Sequence, residues 1–424
     1  MKQHSKTSVH AFGKVLGIVA AVVLSIVATC SFSACSQSGE DDTYNPIYSS
    51  SRTVMVYVVA ENSLGSQNMP SDIKEMIAGM KNKGLHANDR LVVYVDDNSL
   101  PRIYVMDRNV DAAVLGDLQP VYTYDEDGNS SSPEQLAQFV QYVKQHYPAD
   151  SYGLVMWSHA SGWLPSSYAG DYPKASAKHR SFGLDNGKNS YSSTLNGHQM
   201  EIADMARVLT EQGGVDFILF DACFMQSVEV AYELRHATKY IISSPAEIPG
   251  PGADYSTMVD AMFRQEGYPE QMLTAYYNRY SSVNNSYGIV VSVVKTSALE
   301  HFAAYMASVF AEKKDAFLTA DYGNVQNYFH YGEWGTAYPD FYDMQGVMRQ
   351  VLNEAEYAAW KEEVEQVVSC MHHNYWYTAF GMGKFNVDDE QCCGMSLFMP
   401  LSKYSNLFRA SYYSSEWGKD VWKE

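Results

Sequence analysis

The chain has 424 residues, 46% hydrophobic and 19% charged, enough apolar material for one large domain or two smaller ones. A formal net charge of −19 argues against nucleic acid and anionic bilayers as partners, since both reward basic surfaces, and favours basic ligands. Six cysteines are too few and too scattered for a disulfide framework.

The first 34 residues read as an export signal. Lys2, Lys6 and Lys14 precede an apolar stretch from Val15 to Ala28 that is too short and poorly flanked for a membrane span. It closes on Phe32, Ser33, Ala34 and Cys35, a pattern resembling the bacterial lipobox, with Cys35 as the lipid-bearing residue; Cys30, behind the bulkier Thr29, fits less well. Residues 35–51 are polar and aperiodic and read as a flexible tether. Their Glu40, Asp41 and Asp42 resemble signals that route lipoproteins to the outer surface, and equally suit a solvated spacer. The expected location is the cell envelope, at the outer membrane, with the lipid as the only membrane contact. Without the three signal-region lysines the net charge is about −22.

From Arg52 to Ala60 a continuous β-branched run predicts a strand buried on both faces, followed by a helix over Ser71–Met80. Arg90–Val95 is the next strand, and 102–106 with 120–124 form a hairpin. Ser132 and Pro133 open a helix that runs to about His146. Strands are then expected at Tyr152–Ser158, Val215–Phe220, Lys239–Ser243 and Ser286–Val294, with helices at 197–211 and 225–237. Residues 164–196 form the longest irregular stretch, the kind usually reserved for lids or mobile segments. Helical patterns dominate from Leu299 to about Met371, and Gly394–Met399 is a late strand. The alternation predicts an α/β three-layer sandwich, a mostly parallel sheet with helices on both faces. The domain reading is a core over 52–300 and a helical extension with a late strand over 301–424, packed on that core. No glycine-rich loop follows the first strand, so a dinucleotide or P-loop enzyme is disfavoured.

Two strand ends carry chemistry. One offers Trp157, Ser158 and His159 with Gly162 and Trp163; the other offers Asp221, Ala222 and Cys223. In open α/β sheets ligands bind at such ends, and a thiol with an imidazole is the minimum kit for a cysteine nucleophile with its own base. The motifs lie 64 residues apart, enough for a unit that returns the chain to the adjacent strand end. A helix beginning just after Cys223 and a nearby imidazolium would both lower the thiol pKa. Asp221 also suits a helix cap, and Glu247 and Asp254 suit either a negative pocket wall or turns and caps. Cys370, His372 and His373 fit no zinc spacing, and no metal ligand set is assigned.

These residues resemble the clostripain family of cysteine peptidases. Further matches run from Val54–Tyr57 through Ser132–Glu134, Ser243–Gly250, Tyr342 and Asp343 to Gly394–Pro400. The resemblance implies a caspase-like fold, a catalytic pair of His159 and Cys223, and cleavage of protein or peptide substrates after Arg or Lys at P1. It implies that Asp221 helps hold that basic side chain. Backbone N–H groups of Ala160 and Cys223 are the oxyanion donors it points to. The family usually has glycine where this chain has Ala160, which costs catalysis if that residue needs a positive φ. Some members need calcium, and some cut themselves after the catalytic histidine; here Lys174, Lys178 and Arg180 are the matching basic sites. The alternative function is a binding lipoprotein on a catalytically weak peptidase scaffold.

Overall fold

A computed structural model describes residues 51–82, 84–164, 181–188, 197–281, 288–328, 340–372, 375–377 and 384–422. Its strands are β1 (Arg52–Val59), β2 (Arg90–Asp96), β3 (Arg102–Met106), β4 (Tyr122–Thr123), β5 (Ser151–Trp157), β6 (Phe182–Asp185), β7 (His198–Met200), β8 (Val215–Asp221), β9 (Thr238–Ser243), β10 (Val290–Lys295), β11 (Tyr342–Asp343), β12 (Val368–His372), β13 (Tyr375–Tyr377), β14 (Lys384–Asn386) and β15 (Ser396–Leu397). Nine of them form one sheet, in the order β12-β10-β9-β8-β5-β1-β2-β3-β4. The inner strands β9, β8, β5, β1 and β2 are mutually parallel, while β10, β12 and β3 pair antiparallel with their neighbours.

Successive side chains on a strand point to opposite faces, so each inner strand feeds two apolar layers. Met55, Tyr57, Leu154, Met156, Ile218 and Phe220 face one layer, formed with α2 (Pro133–His146), α3 (Ile202–Glu211), α4 (Val228–Glu233) and α7 (Leu299–Thr319). Val54, Val56, Val155, Phe217 and Leu219 face the other, with α1 (Asn68–Met80), α5 (Tyr255–Phe263) and α6 (Tyr268–Ser281). This explains the unbroken apolar runs of β1 and β8, which have no solvent side.

The helix opened by Ser132 and Pro133 forms as expected, with the Ser132 side chain accepting from Gln135 N–H. The hairpin forms between β3 and β4. Three expectations are corrected. Inside 164–196, Phe182–Asp185 is a strand paired with β7. The stretch 299–371 is not helical to its end, because Val368–His372 joins the main sheet as β12. The helix expected over 225–237 shrinks to Val228–Glu233, for reasons that bear on the thiol.

The inner sheet reverses its direction of growth between β1 and β5: β2 lies on one side of β1, and β5, β8 and β9 follow on the other. Connections leaving such a reversal diverge to opposite faces and open a crevice at the carboxyl ends of the strands.

Candidate active site

His159 and Cys223 leave adjacent parallel strands at matching heights. Trp157 lies opposite Asp221 in the β5–β8 register, and each motif residue follows its strand end by two positions. Neighbouring strands are about 4.8 Å apart, so the register sets the imidazole and the thiol side by side at the crevice. Both residues are half-buried, and Cys223 packs against both apolar layers at the edge of the sheet.

The two loops touch. Gly162 adopts φ +65°, and a Cβ built on it would lie 2.6 Å from the Phe224 carbonyl oxygen and 2.8 Å from the Phe341 ring. Phe224 itself sits at φ 62°, the one described residue other than glycine in the left-handed region. Its N–H donates to the Ala246 carbonyl at 3.0 Å and its ring stacks on Phe341 at 4.9 Å. Gln226 N–H then donates to Ser244 O, and Ser227 caps α4 by accepting from Val230 N–H. These bonds hold residues 223–226 as a turn. The six-residue helix therefore starts too far along the chain for its dipole to act on the thiol, and that part of the expected activation is withdrawn.

A third loop reaches the histidine. Ser63, beyond the end of β1, places Oγ 2.9 Å from His159 Nε2. Its neighbour Asn62 is fully buried and donates to the carbonyls of Val59 and Leu184, while its Oδ1 accepts from Leu64 N–H. Ser158 Oγ donates to Val59 O and accepts from Leu184 N–H. β1, β5 and β6 are thus pinned together directly beneath the imidazole. Sequence reasoning stopped at the strand end and missed Ser63; a polar tripeptide following a β-branched run was the available signal.

Ala160 is buried and forms an antiparallel bridge with Phe182. The bonds beside it run from Gly183 N–H to His159 O and from Ser161 N–H to Ser181 O, so neither uses the Ala160 N–H. Ala160 is not in the left-handed region, so its methyl group carries no backbone penalty.

Asp221 is 4% exposed, and its carboxylate accepts from Tyr276 OH at 2.6 Å, Tyr255 OH at 2.8 Å and Ala253 N–H at 3.1 Å. Burial pushes its pKa up, against the pull of those donors. Asp72, which accepts from Trp157 Nε1 at 2.7 Å, is pushed up by burial and then by the Asp221 charge. A paired acidic floor therefore lies under the strand end, instead of one carboxylate open beside the thiol. Asp254 caps α5 by accepting from Ser256 N–H, and Glu247 is buried. Lys174, Lys178, Arg180 and Cys35 lie outside the described residues, as does His373. His372 pairs with Asp389 at 3.3 Å, and Cys370 lies 4.0 Å from Cys392.

Distal segments brace both loops. Trp163 packs against Phe398, Phe408 and Tyr412 at centroid distances of 4.8, 5.5 and 5.2 Å. Glu229, on α4, is buried and accepts from Phe398 N–H at 2.9 Å. Burial raises its pKa to about 7 from 4.5, opposed by the Phe398 amide. Between those values the folded chain keeps a proton that the unfolded chain releases, so this group's contribution to stability is lost as pH rises from 4.5 to 7. Glu229→Gln keeps an acceptor for Phe398 and removes the titration. Urea unfolding at pH 5 and pH 8 should show the variant losing roughly 2–3 kcal/mol less than the parent over that interval. Equal losses in the two proteins would remove Glu229 from the pH response.

A parallel-centred sheet between two helical layers, with the crevice at its reversal point, is a caspase-like sandwich. Two solved structures share it: an inactive zymogen C11 protease from Parabacteroides distasonis, with TM-score 0.71 and 29% identity over 88% of this chain and 98% of that one, and a secreted C11 cysteine protease from Bacteroides thetaiotaomicron in complex with an irreversible peptide inhibitor, with TM-score 0.70, 31% identity and the same coverage. Clostripain from Hathewaya histolytica is 31% identical over 234 residues, which span 49% of this chain and 41% of that protein. The clostripain family model matches residues 56–422, and the chain belongs to that family of cysteine peptidases.

Proposed function

We propose that the chain is a cysteine endopeptidase that uses Cys223 as nucleophile and His159 as its acid–base partner. The observation that carries this reading is the β5–β8 register, which sets the two residues side by side at the sheet's crevice. The thiolate attacks the scissile carbonyl carbon, and the C=O electron pair moves onto oxygen. Amide donors of Ala160 and Cys223 stabilise that charge. The imidazolium gives a proton to the departing amine, leaving a thioester. Water then attacks with its proton passing to the imidazole, and the thiolate leaves. Ser63 accepts from Nε2–H, which keeps the ring oriented while Nδ1 handles the proton.

The proposed P1 preference is Arg or Lys. Supporting it are the acidic chain and the Asp72–Asp221 floor; an entering guanidinium would favour the ionised form of both carboxyls. Export with lipid on Cys35 completes the proposal, supported by the basic start and the small residues before that cysteine. Among the described residues no helix is long and apolar enough to cross a membrane. Ala160 outside the left-handed region supports a competent peptidase over a binding lipoprotein on a weak scaffold.

A peptide library digested by the protein tests the preference. Cuts should follow Arg and Lys, and Asp221→Asn should lower the ratio of basic to neutral P1 cleavage at least about tenfold. An unchanged ratio removes Asp221 from recognition, and cuts after neutral residues remove the basic preference. Intact mass of the membrane-extracted protein reads the lipid on Cys35; an unmodified terminus elsewhere rejects the anchor.

A further inference from the structure

Cys370 and Cys392 meet at the outer end of the main sheet, with their sulfurs 4.0 Å apart. Cys370 belongs to β12 and lies opposite Ser292 of β10. Cys392 lies in the connection between β14 and β15. Both are half-buried free thiols. The backbone around them is closely fitted. Gly394 sits at φ +78°, and a Cβ built on it would run into the Cys370 side chain and lie 3.0 Å from Ser292 Cβ. Glycine there lets the connection press against β12. Tyr328 OH donates to Asp343 Oδ2 at 2.7 Å and lies 3.3 Å from Cys392 Sγ. Asp343 also accepts from the N–H groups of Cys393 and Gly394, which fixes the backbone on either side of the turn. The neighbouring Cys393 is buried and turns its thiol to the Met395 carbonyl at 3.6 Å.

We infer that Cys370 and Cys392 close into a disulfide bridge when the chain meets a low-molecular-weight disulfide, RSSR, as oxidant. Bonded sulfurs stand about 2.05 Å apart, so each has to advance by about an ångström, a shift within reach of side-chain rotation. The hydrogen bond with Cys370, and then burial, push the Cys392 thiol well above its ordinary pKa, so the exchange opens at Cys370. The Cys370 thiolate attacks one sulfur of RSSR and forms a mixed disulfide; the RS⁻ released takes up the proton that Cys370 lost. Cys392 then gives up its proton and attacks Cys370 Sγ. The mixed disulfide breaks, and the second RS⁻ leaves as RSH. Two protein thiols are oxidised, and one RSSR is reduced to two RSH. When the bridge forms in the cell rests on the proposed export, which would bring the chain to a compartment where disulfides persist.

The bridge has a structural task. Downstream of Cys392, the Gly394 carbonyl accepts from Ser292 Oγ at 2.6 Å, Ser396 N–H donates to Gln226 O at 3.0 Å, and Phe398 N–H donates to Glu229. Gln226 belongs to the turn that follows Cys223, and its side chain donates to Ser292 O at 3.0 Å. The turn, β10 and the stretch from Gly394 to Phe398 thus form one hydrogen-bonded circuit. Tying Cys392 to β12 fastens that circuit covalently at its outer end. Cys223 takes no part in the exchange.

The test uses the full chain carrying Cys223→Ala, so the nucleophile contributes no thiol. The protein is equilibrated with about 1 mM each of reduced and oxidised glutathione, remaining thiols are blocked, and a non-reduced digest is read by mass spectrometry. A linked peptide pair joining Cys370 to Cys392 should account for at least about 90% of both cysteines. The bridged protein should melt about 2–5 °C above the reduced one. Cys370→Ser and Cys392→Ser should each abolish the linked pair and the rise in melting temperature on oxidation, while Cys393→Ala should keep both. Hydrogen exchange at the Ser396 and Phe398 amides should slow on oxidation; unchanged rates would remove the fastening role. Absence of the linked pair, or its replacement by glutathione adducts or a Cys392–Cys393 bridge, would overturn the assignment. The result depends on neither peptidase activity nor export, so its failure is distinct from theirs.

Discussion

Cys223→Ala should reduce hydrolysis of Arg- and Lys-amide reporters to background, a fall of at least about 10⁴ in kcat/KM, because among the described residues the other free cysteines, Cys370, Cys392 and Cys393, lie outside that strand end. His159→Ala should keep a nucleophile and lose roughly 10²–10⁴, the usual worth of a positioned acid–base group. The two losses should not add, since each residue is useless without the other. Initial rates and labelling with a thiol-directed peptide probe read both effects. The parent should label at Cys223 and the His159 variant more slowly. A Cys223→Ala protein retaining activity within tenfold of the parent would end the mechanism, whatever the resemblance.

The second large effect is expected far from any reacting atom. Gly162→Ala places a methyl group 2.6 Å from Phe224 O and 2.8 Å from the Phe341 ring, on a backbone with φ +65°. Neither obstacle is a flexible tip: one is backbone and the other is a stacked ring. The loops after His159 and Cys223 must move apart. Overpacking and a left-handed alanine together should lower stability by about 2–4 kcal/mol. Misplacing the pair by an ångström should lower kcat/KM about 10²-fold. Gly187 provides the control, with φ +79° and no atom within 4 Å of a built Cβ. Gly187→Ala should show the backbone penalty alone, with activity near the parent's. Urea unfolding in the Cys223→Ala background and steady-state rates otherwise separate the two. Equal effects at the two glycines would show that the close approach to Phe224 carries no weight.

How much of this was legible in the chain differs element by element. β1, β5 and β8 were readable because burial on both faces leaves an unbroken apolar run, and His159 and Cys223 stood out as polar residues where such runs end. The helix after Cys223 was overextended because its apolar spacing continues back to Met225, while the left-handed Phe224 and the bonds to Ser244 and Ala246 are set by a distant loop. β12 was hidden in a helical stretch, since its five residues pair only with a strand some eighty positions earlier. Glu61, Asp96 and Asp127 come from separate connections, each an unremarkable acid by itself, yet their carboxylates lie within 4.8 Å of one another. The β1–β2 register sets the first two side by side. Asp221 was singled out from its place before Cys223, yet its two tyrosine partners come from α5 and α6, and nothing in its motif announces them.

Trp163 and Glu229 lean on residues between Phe398 and Tyr412, a region made long after both motifs have emerged. A nascent polypeptide thus carries Cys223 and His159 without the buttress that seats their loops. Cutting the chain ahead of Phe398 would therefore strip both loops of this packing while leaving their motifs intact.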